Sequence, residues 1–180
     1  MDVDDRTGTE RDPSWPLVSR PTTFDDFFRD EFRRVLTLVS VLSGSLLAED
    51  LAQEAFTRAY KSWDKVGVME RPDAWVRVVA MNLARSALRR TKAEARAVLR
   101  LGRPATTLPP MEPESDLFWK QVRRLPSRQA QVIALHYLED RQISEIAAIL
   151  AISENTVKVQ LRNGRQNLAS RLGVEDRHEF

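Results

Sequence analysis

Residues 143–163 read ISEIAAILAISENTVKVQLRN, and the architecture of the chain turns on them. Ile143, Ile146, Ala147 and Leu150 recur at helical spacing, and so do Val157, Leu161 and, further on, Leu168. Only "AIS" separates the two runs. Ser144 is placed to cap the first helix through its hydroxyl, with Glu145 suited to the positive end of the helix dipole; Ser153 is placed to cap the second. Two capped helices with so short a break must turn sharply against each other, which is the helix-turn-helix pattern. The outward side of the second helix then carries Asn155, Thr156, Lys158, Val159, Arg162 and Asn163. A helix fits the DNA major groove, where amides and guanidiniums read base edges and methyl groups meet thymine. Lys and Arg also neutralise phosphates. On the pattern alone the competing reading is an ordinary helical hairpin with a solvated polar face.

The rest of the chain is also helical. Phe24, Phe28, Phe32, Val35, Val39 and Leu42 mark one amphipathic helix, broken by "SGS" at 43–45. Ala48, Leu51, Ala52, Ala55, Phe56, Ala59, Tyr60 and Trp63 mark a second, over 48–63. A third starts at Pro72, a first-turn position, and runs to Arg90 or beyond. Residues 102–115, GRPATTLPPMEPES, hold four prolines and no periodicity, which reads as a tether. Helical patterns resume at Asp116 and continue to Leu172; no strand alternation is present. The expected fold class is all-α: two small helical domains joined by a proline-rich linker, the C-terminal one a helix-turn-helix. The expected boundaries are 1–22 for a disordered acidic leader, 23–100, a linker at 101–115, 116–173, and a tail at 174–180.

Composition narrows the function. The 180 residues contain no Cys, which removes disulfides, thiolate zinc sites and thiol catalysis. With two His, a metal site would need mostly carboxylates, and neither a metal nor a cofactor is expected. No run approaches the roughly 20 apolar residues of a membrane span, and MDVDDRTGTERDPSWP is too acidic for a signal peptide. A cytoplasmic protein is expected. Net charge is only +2, but it is unevenly spread. Residues 1–31 carry nine acidic and four basic side chains, residues 71–103 nine basic and two acidic, and residues 141–171 five basic and two acidic. Two separate cationic segments suggest two surfaces that face anions, although a single basic run is often just a solvated face.

Three motifs, in order, carry a family resemblance. LPSRQAQVIALHYLEDRQISEIAAILAISENTVKVQLRNGRQNLASRL (125–172) resembles the promoter −35 recognition domain of bacterial sigma-70-family factors. AEDLAQEAFTRAYKSW (48–63) resembles that family's polymerase-binding helix, and RPDAWVRVVAMNLARSALRR (71–90) its −10 helix. The two-domain layout is that of the extracytoplasmic-function group. The resemblance implies a transcription initiation factor that binds core RNA polymerase through its largest subunits and recognises −10 and −35 elements of promoter DNA. It leaves room for an anti-sigma factor as a further partner, and it implies no membrane insertion and no enzymatic role.

The resemblance assigns residues as well. Polymerase binding falls to Asp50, Gln53, Glu54 and Thr57 on the polar face of the helix 48–63, with Leu51 and Phe56 as core. This face is rich in carboxylate and amide, which suits a partner presenting Arg. The −10 element falls to Trp75, Asn82, Arg85, Ser86, Arg89 and Arg90. Trp75, Val78, Asn82, Arg85 and Arg89 share one side, where stacking is worth about 1–3 kcal/mol per base. Core packing is the alternative for Trp75. Arg77, Arg90 and Lys92 would follow phosphates, while Val76, Val79, Ala80, Leu83 and Ala87 would form core. DKVGVMER (64–71) corresponds to the loop that captures a flipped base. The −35 element falls to Asn155, Thr156, Lys158, Val159, Arg162, Asn163 and Arg165. Three positions depart from the family pattern. Ser86 stands where many relatives carry Asp. Ala151 stands where many carry Gly, so the turn is expected to differ slightly. Gly164 lies inside the recognition helix, where it costs about 1 kcal/mol relative to Ala and would either let the backbone approach DNA or end the contact surface.

Two other function classes compete. A stand-alone helix-turn-helix transcriptional regulator would bind its operator without polymerase. An enzyme would need Glu49, Asp50 and Glu54 as a carboxylate site, but no His lies near them in the sequence, and His136 and His178 are isolated.

Overall fold

The structure, a computed structural model, describes residues 23–100 and 114–173. The expected leader, most of the proline-rich stretch, the tail with His178, and the side chain of Lys92 lie outside the described residues. The described residues form helices without strands.

Helix α1 (Phe24–Ser43) starts where the Thr23 hydroxyl accepts a hydrogen bond from the Asp26 N–H at 3.2 Å, with Asp25 and Asp26 in the first turn. It ends at Gly44, whose φ of 89° suits a residue without Cβ. Its buried line is Phe27, Val35, Leu38, Val39 and Leu42. Phe24, Phe28 and Phe32 are half-buried at the edge of that line. They join Phe56, Tyr60 and Trp63 in an aromatic cluster, with Phe28 stacked on Phe32 at 4.6 Å between centroids.

After a 3-10 turn at Ser45–Leu47, helix α2 (Ala48–Lys61) buries Ala48, Ala52, Ala55, Phe56 and Ala59. The small alanine face lets it pack closely on α1. This helix stops two residues short of its expected end. Ser62 breaks it, and Trp63 opens the short helix α3 (Trp63–Val66), which turns the indole onto Phe24 and Phe27 at 5.4 and 5.2 Å. Gly67 is fixed by that ring, since a Cβ there would stand 2.8 Å from Trp63 Cε2. Helix α4 (Pro72–Arg100) starts at Pro72 as read and continues past Arg90 to Arg100. Val76, Ala80 and Ala87 are buried as read, but Val79 and Leu83 are half-buried. Met81 and Ala84 fill the core in their place. Helices α1, α2 and α4 pack on one another as a first module.

The second module holds α5 (Glu114–Val122), α6 (Ser127–Tyr137), α7 (Ile143–Leu150) and α8 (Glu154–Leu172). Helix α5 begins two residues before the expected start of the second domain. Ser144 does not cap α7. The cap lies two residues earlier: Gln142 caps a helix that begins at Ile143, with the Glu145 carboxylate accepting from the Gln142 N–H in a reciprocal box. Ser153 caps α8 as read, accepting from the Thr156 N–H at 3.1 Å.

Ala151 takes φ 51° and ψ 50°, so the sharp left-handed turn survives without a glycine. An L-residue is strained there by roughly 1–2 kcal/mol, part of which the extra chain entropy of an unfolded Gly would cancel. Ala151→Gly is therefore expected to stabilise the protein by about 0.5–1 kcal/mol, raising the melting temperature by roughly 2 °C for a chain of this size. An unchanged or lower melting temperature in calorimetry would show that the turn is relaxed.

Gly164 has a packing role, which neither of the two expectations for it named. It is buried against α6, where a Cβ would stand 3.0 Å from Ile133 Cγ1. Together with Val157, Leu161 and Leu168 it forms the inner side of α8.

The modules touch along one seam. Helix α1 packs on α5 and α6, and α4 packs on α7. A buried core runs through both modules, and the Arg123 guanidinium donates to the Val41 carbonyl across the seam at 3.4 Å.

Candidate nucleic-acid interface

Helix α8 offers the first surface. Its inner residues hold it on α6 and α7, which leaves Asn155, Lys158, Val159, Arg162 and Arg165 exposed. Asn155, Lys158 or Val159, and Arg162 are spaced three or four residues apart, so they share one face. Thr156 and Asn163 are only half-buried flank residues, and the Thr156 hydroxyl is held 2.8 Å from the Ser153 hydroxyl.

Arg165 is anchored by two residues that sequence reasoning did not assign to the interface. Its Nε donates to the Tyr137 hydroxyl at 2.7 Å, its guanidinium carbon lies 5.6 Å from the Tyr137 ring centre, and Nη2 is 3.3 Å from His136 Nε2. The Arg141 carbonyl, 3.2 Å from His136 Nδ1, can only accept. Nδ1 therefore carries the proton, and a neutral Nε2 accepts from Arg165, a tautomer inferred from the hydrogen-bond pattern. The signal in sequence is the His-Tyr pair ending α6, but nothing along the chain places it beside a residue 28 positions later.

Helix α4 offers the second surface. Asn82, Arg85, Ser86, Arg89 and Arg90 are exposed, whereas Trp75 and Val78 are half-buried against the core. Trp75 therefore divides its ring between packing and solvent. In the loop before α4, Val68 and Met69 are exposed apolar side chains.

Arg77 does not follow phosphates. Its side chain is 0% exposed and lies among three carboxylates. Nε donates to Glu139 Oε2 at 2.8 Å and Oε1 at 3.1 Å, and Nη1 donates to the Asp73 carbonyl at 3.0 Å. Nη2 is 2.7 Å from Glu31 Oε2 but off hydrogen-bond alignment, so that contact is ionic. Burial alone would lower the Arg77 pKa; the charges of Glu139 and Glu31 outweigh it and hold the guanidinium above its usual value. Burial would likewise raise the Asp73 carboxyl, but the hydrogen bond and charge of Arg71, with Arg77, pull it below its usual 3.8. Arg71 grips Asp73 with two bonds of 2.9 Å. On the far side Glu139 meets Arg141 at 3.3 Å, and Arg141 meets Glu145 at 3.3 Å.

The third surface is the outer face of α2, with Asp50, Gln53, Glu54 and Thr57 exposed. Gln53 Nε2 donates to Glu49 at 3.2 Å, and Arg58 Nε donates to Glu54 at 2.8 Å, so the face is pre-ordered along i, i+4 pairs. Leu51 is half-buried and Phe56 buried, in keeping with core roles. Sequence reasoning passed over Arg58, and Tyr60, read as part of the apolar stripe, is instead exposed at the end of this face.

Among the described residues no group of His, Cys, Asp or Glu could hold a metal ion, and no helix is long and apolar enough to cross a membrane.

Comparison with known proteins places both modules. The Sigma-70 region 2 family model matches residues 27–94, and the Sigma-70, region 4 model matches residues 115–168. An RNA polymerase sigma-E factor of Streptomyces avermitilis is 30% identical over 131 residues, covering 72% of this chain and 73% of its own. The ECF RNA polymerase sigma factor SigW of Bacillus subtilis is 29% identical over 145 residues, covering 69% and 75%. Among solved structures, the sigma factor RpoE of Bartonella quintana, in complex with the anti-sigma factor NepR, superposes with a TM-score of 0.65 at 20% identity, covering 84% of this chain and 98% of that one. CnrH in complex with the cytosolic domain of CnrY gives 0.60 at 18% identity, covering 85% and 89%. These two likenesses concern the fold.

Proposed function

The chain belongs to the sigma-70 family of RNA polymerase sigma factors, in the extracytoplasmic-function group, and on that premise we propose a division of labour among its three exposed faces. A sigma factor binds core RNA polymerase and directs initiation at promoters by recognising −10 and −35 elements. In this chain, Asp50, Gln53, Glu54 and Thr57 of α2 dock on the polymerase. Asn82, Arg85, Ser86, Arg89 and Arg90 of α4, with Trp75 at the edge, receive the −10 strand. Asn155, Thr156, Lys158, Val159, Arg162 and Asn163 of α8, with Arg165 steadied by Tyr137, enter the −35 major groove. Residues 23–100 and 116–173 act as the two working domains, and residues 101–115 join them.

The supporting observation is the separation of charge. The acid-and-amide face of α2 and the cationic face of α4 belong to different helices of the first module, so one module can hold a protein and a nucleic acid together. Opening the −10 region costs about 1.4 kcal/mol per base-pair step. Capture of unpaired bases on α4 offsets part of it at about 1–3 kcal/mol per stacked base. No step of this reading requires covalent chemistry by the chain. Its place of work is the cytoplasm, where polymerase and chromosome are. The Bartonella quintana relative and CnrH are bound by NepR and CnrY, and a comparable anti-sigma protein is proposed for this chain.

Run-off transcription with purified core polymerase tests the proposal. Adding the chain is expected to yield transcripts starting a fixed distance downstream of a shared two-part sequence. No new start site, together with tight selective duplex binding by the chain alone, would instead establish the stand-alone regulator.

A further inference from the structure

The ion cluster around Arg77 spans the two modules. Glu31 and Asp73 belong to α1 and α4 of the first; Glu139 belongs to the α6–α7 turn of the second, 62 positions from Arg77. All four side chains are at most 10% exposed. Arg34 beside Glu31, Arg71 beside Asp73, and Arg141 between Glu139 and Glu145 bring the cluster to four cations and four anions.

The arrangement that this cluster holds cannot reach both promoter elements. The two elements lie about 25 base pairs apart, roughly 85 Å at about 3.4 Å per step. A compact body of about 140 residues is roughly 40 Å across. Arg85 and Arg89 of the −10 face also line a cavity of about 180 Å³ whose other wall is Leu125, Ala130 and Gln131 of the second module. The second module thus stands beside the surface meant for the −10 strand. The segment between Arg100 and Glu114 can extend by at most about 45 Å.

We propose that Arg77 and Glu139 form a latch between the modules, so that the chain binds its own second module in a closed resting form and must release it to engage a promoter. The inference rests on the sigma-factor reading only for the need to open; the latch itself is a property of the free chain. Removing one partner of a buried ion pair disfavours the paired state strongly, because the other charge is left buried. Here Glu31 and Asp73 stay beside Arg77, so the first module keeps its own compensation when Glu139 is changed.

The test uses the absence of native cysteine. Dyes on Asp30→Cys in α1 and Ser170→Cys in α8, both exposed positions, report energy transfer between the modules of the full-length chain without polymerase. The chain carrying only the two dyes is expected to show high transfer. Glu139→Gln is expected to raise the ratio of low- to high-transfer molecules about tenfold, below the more than ~100-fold that follows when a buried charge is left with no partner, because Glu31 and Asp73 remain beside Arg77. Glu139→Arg, which sets a like charge against Arg77, should raise it further, with helical content unchanged in both. Wild-type chain assembled with core polymerase on promoter DNA should lose the high-transfer state. Unaltered transfer in both variants, at unchanged circular dichroism, would overturn the latch. Retention of high transfer in a transcribing complex would overturn its release. Neither readout on the free chain depends on which DNA or polymerase it serves, so a failure of the sigma-factor reading would show in the run-off assay and leave the transfer result standing.

Discussion

Reversing the charges of Asp50 and Glu54 to Lys is expected to lower polymerase-dependent initiation by at least ~100-fold while the protein stays folded. Both side chains are exposed on α2, one turn apart, and no core residue depends on them. Under the proposed docking, the reversal sets two cations against a surface that would meet carboxylates, and like charges facing each other cost several kcal/mol in an interface. Its cost to the fold is small. Glu54 loses its pairing with Arg58, a surface interaction worth ~0.3–0.5 kcal/mol. A Lys in the first turn of α2 also opposes the helix dipole, by ~0.3–1 kcal/mol. Asp50→Asn with Glu54→Gln separates the two effects, since it removes charge without repulsion and should fall between wild type and the reversal. The checks are co-purification with core polymerase, run-off transcription and thermal melting. Full activity from the folded reversal variant would exclude α2 as the docking face.

The second large effect is expected on α8. Lys158→Ala with Arg162→Ala should reduce initiation at promoters that depend on a −35 element by roughly 10- to 100-fold or more. A guanidinium bidentate to a base edge is worth ~1–3 kcal/mol, and a phosphate-bound Lys adds a salt-dependent contribution. The slope of log affinity against log salt should become shallower by about one for each phosphate that is no longer neutralised. Both residues are exposed and lie outside the buried line of Val157, Leu161 and Leu168, so stability should hold. On a template with the −10 region already unpaired and no −35 element, the variant should be nearly normal. An equal loss on both templates would place these side chains at some other task.

Which of these features the sequence discloses follows from how far apart the cooperating residues stand. The caps and short break around Ala151 are local, so the helix-turn-helix is legible from a single short run of residues. Even there the reading of Ser144 slips by two residues, because Gln142 and Glu145 satisfy the first turn of α7 reciprocally and leave Ser144 exposed. The outer faces of α2, α4 and α8 are legible because polar positions repeat at helical period.

Arg77 is not legible. Helical spacing puts it among cations that could track a phosphate backbone, and nothing local says that Glu31 and Glu139 converge on it from 46 residues before and 62 after. Gly164 escapes for the same reason. The close packing it meets comes from Ile133, on another helix. Tyr137 and His136 come beside Arg165, and so beside the surface proposed for the −35 element, only once α6 and α8 are packed.

The sharpest check on the division of labour is a photo-crosslinking side chain placed singly at Gln53, Asn82 and Lys158 in the polymerase–promoter complex. Position 53 should label a polymerase subunit, position 82 the −10 strand and position 158 the −35 duplex. Labelling of DNA from position 53, or of polymerase alone from positions 82 and 158, would contradict it.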